Sequence, residues 1–217
     1  MILPDVKIEK RLIENGFLTA IGIDEAGRGP LAGPVIAAAV LVLPEMLDAD
    51  FENRNLIRDS KTLSEAQREK IFTQVQGSEK IFMGIGEISH TVIDKVNILN
   101  ATFYAMRLAL DDLISKLSGD ILQEKICVLV DGNKKIPHVN YRQHTFPGGD
   151  QNIFSISLAS ICAKVHRDRL MDRYHEKYPL YGFDRHRGYG TQLHMDRIKE
   201  HGPCEIHRLS FAPLKGT

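Results

Sequence analysis

Nine consecutive apolar residues, VIAAAVLVL from Val35 to Leu43, are closed off by Pro34 and Pro44. As a strand, this run has no polar edge to offer water, so it reads as buried on both faces. It is far too short to cross a bilayer, which takes about 20 apolar residues. A strand covered on both faces belongs in a sheet with helices on either side.

The rest of the chain supplies such a sheet. Strands are expected over Leu18–Asp24, Lys80–Ile88, Lys125–Val130 and Tyr141–Phe146. Helices are expected over Ser64–Val75, Asn97–Leu117, Gln151–Lys177 and Thr191–Glu200, with a short one capped by Ser89 and reaching Lys95. Ser64 opens the sequence SEAQ, a capping-box pattern with Gln67 at the third helical position. Gly202-Pro203 stops the last helix. The order predicts an α/β or α+β fold, a central sheet flanked by helices. Ligands in such sheets gather at the carboxyl ends of strands, where Asp24 and Asp131 fall. No repeat, low-complexity segment or linker divides the 217 residues, so one main domain is expected.

Composition narrows the setting. Cys127, Cys162 and Cys204 are odd in number and far apart, which argues against a disulfide framework and a structural zinc site. The N-terminal stretch MILPDVKIEKRLIENG is charged and lacks an apolar core, so it does not read as a signal peptide. Both features point to the cytoplasm. The formal net charge is zero but uneven: from residue 164 onward there are eleven Lys/Arg against seven Asp/Glu, and before it seventeen against twenty-one. A basic final third suits a phosphate backbone, although on charge alone a solvated helix face is the favoured reading.

The acids carry the chemistry. Asp24-Glu25 ends one strand, Asp131 ends another and precedes a Gly, and Asp150 follows Gly148-Gly149. Neighbouring residues of a regular strand point to opposite faces, so Asp24 and Glu25 converge only if the backbone turns at Glu25. Ala26-Gly27-Arg28-Gly29-Pro30 permits that turn. Gathered together, these acids suit hard divalent cations, and a pair of such ions is a recognised device for phosphodiester hydrolysis. Taken singly, each acid also reads as a solvated turn or cap residue. Gly27-Arg28-Gly29 sets backbone N–H groups and a guanidinium beside the acids, suited to a sugar or phosphate; a tight turn with a surface Arg is the plainer reading. The segment matches neither a Walker loop nor a dinucleotide fingerprint.

GIDEAGRGPLAGP (residues 22–34) resembles the opening signature of ribonuclease HII. The resemblance continues through DSKTLSEAQREKIF from Asp59, VDGNKKIP from Val130, ASICAKVHRDRLM from Ala159, HRGYGT from His186 and IHRLSF from Ile206. It implies an RNase H-like fold over 1–217, with a mixed sheet, flanking helices and a substrate-contacting C-terminal appendage at about 178–217. It implies an endoribonuclease that cuts the RNA strand of RNA/DNA hybrids. Cutting on the 5′ side of ribonucleotides embedded in duplex DNA would leave a 3′-hydroxyl, with two-metal catalysis by Mn²⁺ or Mg²⁺. The implied metal ligands are Asp24, Glu25, Asp131 and Asp150. Gly27, Arg28 and Gly29 match the loop that reads the ribose 2′-hydroxyl, and Tyr189 matches the tyrosine stacked on the sugar at the junction. Lys61 and Lys164 are expected at phosphates, and the protein is expected to be a monomer.

Asp168 rivals Asp150 as the fourth acid, but it sits mid-helix among Arg167, Arg169 and Arg173, where ion pairs account for it. His186, His194 and His207 are placed in surface or packing roles. The chain departs from the family in having Gly148 where a Lys is common, and in a following helix, IFSISLAS, that is not Ala-rich. Only about twenty residues precede the acid pair, which fits ribonuclease HII better than ribonuclease HIII, a relative with an added N-terminal domain. Two alternatives are an RNase H-fold nuclease acting on DNA junctions and a non-catalytic hybrid-binding module. The clustered acids disfavour the second, because binding alone gains nothing from them.

Overall fold

The computed structural model describes residues 4–47, 57, 60–117 and 125–215. Asp59, where the second of the quoted segments starts, lies outside the described residues. The strands are β1 (Thr19–Ala26), β2 (Val35–Val42), β3 (Ile81–Ile88), β4 (Ile126–Asp131) and β5 (Arg142–Phe146). The helices are α1 (Lys7–Glu14), α2 (Pro44–Leu47), α3 (Glu65–Gln76), α4 (His90–Ser115), α5 (Gly149–Asn152), α6 (Phe154–Lys177), α7 (Phe183–His186) and α8 (Gln192–His201).

One mixed sheet runs in the order β3-β2-β1-β4-β5. β1 is antiparallel to β2 and parallel to β4, and β4 is parallel to β5. β2 is buried along its whole length, as its composition predicts. Ile36, Ala38, Val40 and Val42 face Phe72 of α3 and Phe154 and Leu158 of α6. Val35, Ala37, Ala39 and Leu41 face Ala105, Ala109 and Leu113 of α4. Each fully buried Val, Leu or Ile contributes about 1.5–3 kcal/mol, so this strand anchors both layers. At Gly22 the approach leaves no room for a side chain: a Cβ there would lie 2.3 Å from the carbonyl carbon of Ser155. The start of α6 therefore rests directly on β1, two residues before Asp24.

Three elements differ from the sequence expectation. α4 runs on from the short helix after Ser89, with a kink at Asn97 (φ 67°, ψ 165°). The Asn97 Oδ1 accepts from Asn100 N at 3.1 Å and so caps the second segment. The long helix expected from Gln151 is broken at Ile153, which is extended. Asp5 bridges Ile153 in parallel, donating to Asn152 O and accepting from Phe154 N, so the N-terminal segment takes backbone groups a continuous helix would use. α1, which charge alone did not reveal, docks through buried Glu9; its Oε1 accepts from Ser155 N and Oγ at 2.9 and 2.8 Å. Desolvation pushes this carboxyl above its ordinary range.

Beyond α6, a 3-10 turn (Pro179–Tyr181), α7 and α8 build a further core around Met171, Tyr181, Phe183, Ile198 and Ile206, joined to Leu31 and Ala32 of the loop after β1. Ser64 forms the predicted capping box with Gln67. Among the described residues, no helix is long and apolar enough to cross a membrane.

Candidate active site

β1 and β4 are parallel neighbours with Ile23 beside Val130. One residue further, Asp24 and Asp131 end side by side at the carboxyl edge of the sheet. Asp24 pairs with Ala38 on the α6 face, and Glu25 with Ala37 on the α4 face. The expected turn at Glu25 does not occur, because β1 stays in register through Ala26, opposite Ile36. The chain turns at Gly27 (φ +95°), and the two acids straddle the end of the sheet. Asp131 Oδ1 accepts from Gly149 N at 2.8 Å, after Gly148 in the left-handed region (φ 71°). That turn delivers Asp150.

All ten residues singled out from the sequence line one cavity of about 240 Å³: Asp24, Glu25, Asp131, Asp150, Gly27, Arg28, Gly29, Tyr189, Lys61 and Lys164. A larger groove of about 470 Å³ lies between α1 and β5, but no Asp or Glu lines it, so it offers no carboxylate to a cation.

The electrostatics suit a cation. Burial first, then the charges of Glu25 and Asp131, push the Asp24 carboxyl well above the usual carboxylate range. Burial also raises Glu25, against the pull of Arg28, whose Nη1 lies 3.0 Å from Glu25 Oε1. Lys61 Nζ stands 3.9 Å from Asp150 Oδ2. Asp24 is steadied by Glu25 N at 2.7 Å and by the Ser160 hydroxyl, which in turn meets Ser60 Oγ at 3.1 Å. Among the described residues, no three His, Cys, Asp or Glu side chains are already drawn into a closed coordination set. The donor set nonetheless fits: four carboxylates around one cavity, two of them raised by burial and by the nearby charge of Asp131, supply the oxygen ligands that hard divalent cations take.

Asp168 lies outside this cavity. It pairs with Lys164 Nζ at 2.7 Å and Arg68 Nη2 at 3.7 Å, not with the arginines beside it in sequence. Burial pushes the Lys164 ammonium down while Asp168 opposes the shift. Tyr189 is 45 % exposed, and a Cβ on Gly29 would sit 3.7 Å from its Cε1, so its ring lies over the loop. The three histidines are packed rather than on the surface: His186 stacks on His194 at 4.3 Å, and His194 Nε2 meets His207 Nε2 at 3.0 Å.

Sequence reasoning missed two residues here, Arg167 and Arg208, both buried. Their guanidiniums bind carbonyl oxygens of the Gly27–Pro34 loop: Arg167 those of Ala32 and Pro34, and Arg208 those of Gly27, Arg28, Gly33 and Pro34. The available signal was an Arg inside each of two motifs, HRDR and IHRLSF.

A sequence profile described as Ribonuclease HII matches residues 21–214. A ribonuclease HII of Caldicellulosiruptor bescii is 45% identical over 205 residues, covering 94% of this chain and 92% of the relative. One from Acetivibrio thermocellus is 48% identical over 94% of this chain and 73% of its own length. The crystal structure of ribonuclease H2 from Pyrococcus horikoshii OT3 superposes with a TM-score of 0.69 at 23% identity, covering 90% of this chain and 95% of that one, a likeness of fold.

Proposed function

Since the chain belongs to the ribonuclease HII family, divalent-metal-dependent endonucleases of the ribonuclease H type, we propose that it cuts the RNA strand of RNA/DNA hybrids. We extend this to duplex DNA carrying single ribonucleotides, cut on the 5′ side to leave a 3′-hydroxyl and a 5′-phosphate. The supporting observation is the shared cavity, in which the four acids, the Gly27-Arg28-Gly29 loop and Tyr189 meet.

Asp24, Glu25, Asp131 and Asp150 hold the metal, Mn²⁺ or Mg²⁺ in this reading. When bound, such ions activate water and neutralise charge on the leaving oxygen. The chain's own groups do the rest. Lys61 and Lys164 offset phosphate charge. The loop presents backbone groups to the ribose, whose 2′-hydroxyl is what separates RNA from DNA. The Tyr189 ring stacks on the neighbouring sugar, and through Tyr189 the segment from about 178 onward becomes part of the substrate surface. The protein works as a monomer.

The test is a duplex with one embedded ribonucleotide, an all-DNA duplex and a long hybrid, each with Mn²⁺ or Mg²⁺ and with chelator. Cleavage of the first and third, dependent on metal, is the expected result. An uncut ribonucleotide duplex sinks the reading, and cleavage of the all-DNA substrate points to a DNA nuclease instead.

A further inference from the structure

Two positively charged side chains are buried where, among the described residues, no acid is hydrogen-bonded to them. Arg208 is fully buried and Arg167 nearly so, and their hydrogen bonds go to main-chain oxygens. A buried guanidinium is expensive to desolvate, and an aliphatic side chain of similar size would pack at lower cost. Burial draws the guanidiniums down to about 9 and about 10, which still leaves both charged at neutral pH. Their use is therefore in what they hold.

What they hold is the orientation of five peptide units of the loop. Arg208 Nη2 donates to Gly27 O at 2.6 Å and Nη1 to Arg28 O at 3.0 Å. In a planar trans peptide, the C=O of one residue and the N–H of the next point in opposite directions. With the Gly27 and Arg28 carbonyls turned onto Arg208, the N–H groups of Arg28 and Gly29 are turned away from it. Arg28 and Gly29 line the carboxylate cavity. On the far side of the loop, Arg208 Nε takes Gly33 O at 2.9 Å, and Arg167 Nη2 takes Ala32 O at 3.1 Å. Both share Pro34 O. The loop also fits Arg167 sterically: a Cβ on Gly27 would lie 2.2 Å from Arg167 Nε.

We propose that Arg208, braced by Arg167, is the positioning residue for ribose recognition: its guanidinium sets the Gly27–Gly29 peptides so that the Arg28 and Gly29 N–H groups face the substrate sugar. This rests on the ribonuclease reading above. Arg208 itself touches neither substrate nor metal. The guanidinium fork suits the task because it reaches several carbonyls in a fixed plane, which a lysine ammonium does not.

The experiment compares wild type with Arg208→Met, which keeps bulk, and Arg208→Lys, which keeps charge and fewer of the bonds. Three quantities are read: single-turnover cutting of the one-ribonucleotide duplex, affinity for that duplex in Ca²⁺, and amide exchange of segment 27–34. In Arg208→Met, exchange in the segment should rise while that of β1 and β4 stays put. Cutting should fall about 10²-fold, the scale of a misplacement of about 1 Å. Affinity should move little, since phosphate contacts carry it. Arg208→Lys should fall between, and it carries the test alone if Arg208→Met does not fold. Unchanged exchange, or wild-type cutting with raised exchange, overturns the proposal. Should wild type itself leave the duplex uncut, the ribonuclease reading fails, while the exchange measurement still decides whether Arg208 holds the loop.

Discussion

The main-chain N–H of Gly149 donates to the Asp131 carboxylate at 2.8 Å, tying the end of β4 to the turn that carries Asp150. In the proposed reading Asp131 also holds the metal, and substitution separates the two jobs. Asp131→Asn keeps an oxygen for the Gly149 N–H and loses only the charge. In chelator it should melt at or above the wild-type temperature, and it should lose at least about 10³ in cutting rate, because metal-assisted charge stabilisation is worth several kcal/mol. Asp131→Ala should lose activity and also melt lower, by about 1–3 kcal/mol for the orphaned N–H. Thermal melts and single-turnover rates check both, and full activity in Asp131→Asn removes Asp131 from the chemistry.

Asp24 is a carboxylate the fold pays to keep. Burial and the charges of Glu25 and Asp131 raise its pKa well above the ordinary 3.8. The native state thus holds that proton more tightly than the unfolded chain. The resulting stability is complete below about pH 4 and is lost as pH rises through the folded value, so the ionised form is a liability at neutral pH. Asp24→Asn should then melt higher than wild type in chelator, each kcal/mol gained being worth roughly 2–4 °C at this size, while cutting disappears. A lower melting temperature in that variant contradicts the electrostatic picture.

The same strain makes metal binding visible without any substrate. An ion that binds only the folded protein stabilises it by about 2.7 kcal/mol at a hundred times its dissociation constant. Mn²⁺ or Mg²⁺ should raise the wild-type melting temperature, and the Asp24→Asn, Asp131→Asn double variant should respond far less. An equal rise in both would place the metal elsewhere.

How much of this was legible follows the range of each interaction. The apolar run of β2 and the strand ends at Asp24 and Asp131 are local patterns, and the structure keeps them within one or two residues. The break at Ile153 was hidden because it depends on Asp5, distant in sequence. Glu9 of α1 was hidden for the same reason, its partner being Ser155. The turn moved from Glu25 to Gly27 because pairing of Ala26 with Ile36 holds the strand straight, a tertiary fact that residue types do not encode. Arg167 and Arg208 look like surface charge in sequence, and only the fold turns them inward onto carbonyls.

Tyr189 lies over Gly29 and is 45 % exposed, which suits contact with a sugar or base. Stacking on an aromatic ring is worth about 1–3 kcal/mol per unit by alanine substitution. Tyr189→Ala should weaken cutting of the one-ribonucleotide duplex by that amount, and Tyr189→Phe should retain most of it. Comparable losses in both variants would assign the effect to the hydroxyl instead of the ring.

Acid should loosen the same tyrosine from behind. Cys204 N donates to His207 Nδ1 at 2.9 Å, the two Nε2 atoms of His207 and His194 meet at 3.0 Å, and His194 Nδ1 lies 2.9 Å from Tyr189 O. The network assigns His207 the Nε2–H tautomer and His194 the Nδ1–H tautomer, both neutral. Protonating His194 at Nε2 sets its N–H against that of His207, with His186 stacked alongside. Burial accordingly draws both pKa values from 6.5 to about 4. A depressed folded value means the stability is full above pH 6.5 and drains as pH falls toward 4. For either histidine this is on the order of 3 kcal/mol, at about 1.4 kcal/mol per pKa unit. Melting curves from pH 7.5 to 4.5 should show the loss beginning near 6.5, and His207→Gln should flatten that slope. If the variant keeps the wild-type slope, the histidine relay is not its source.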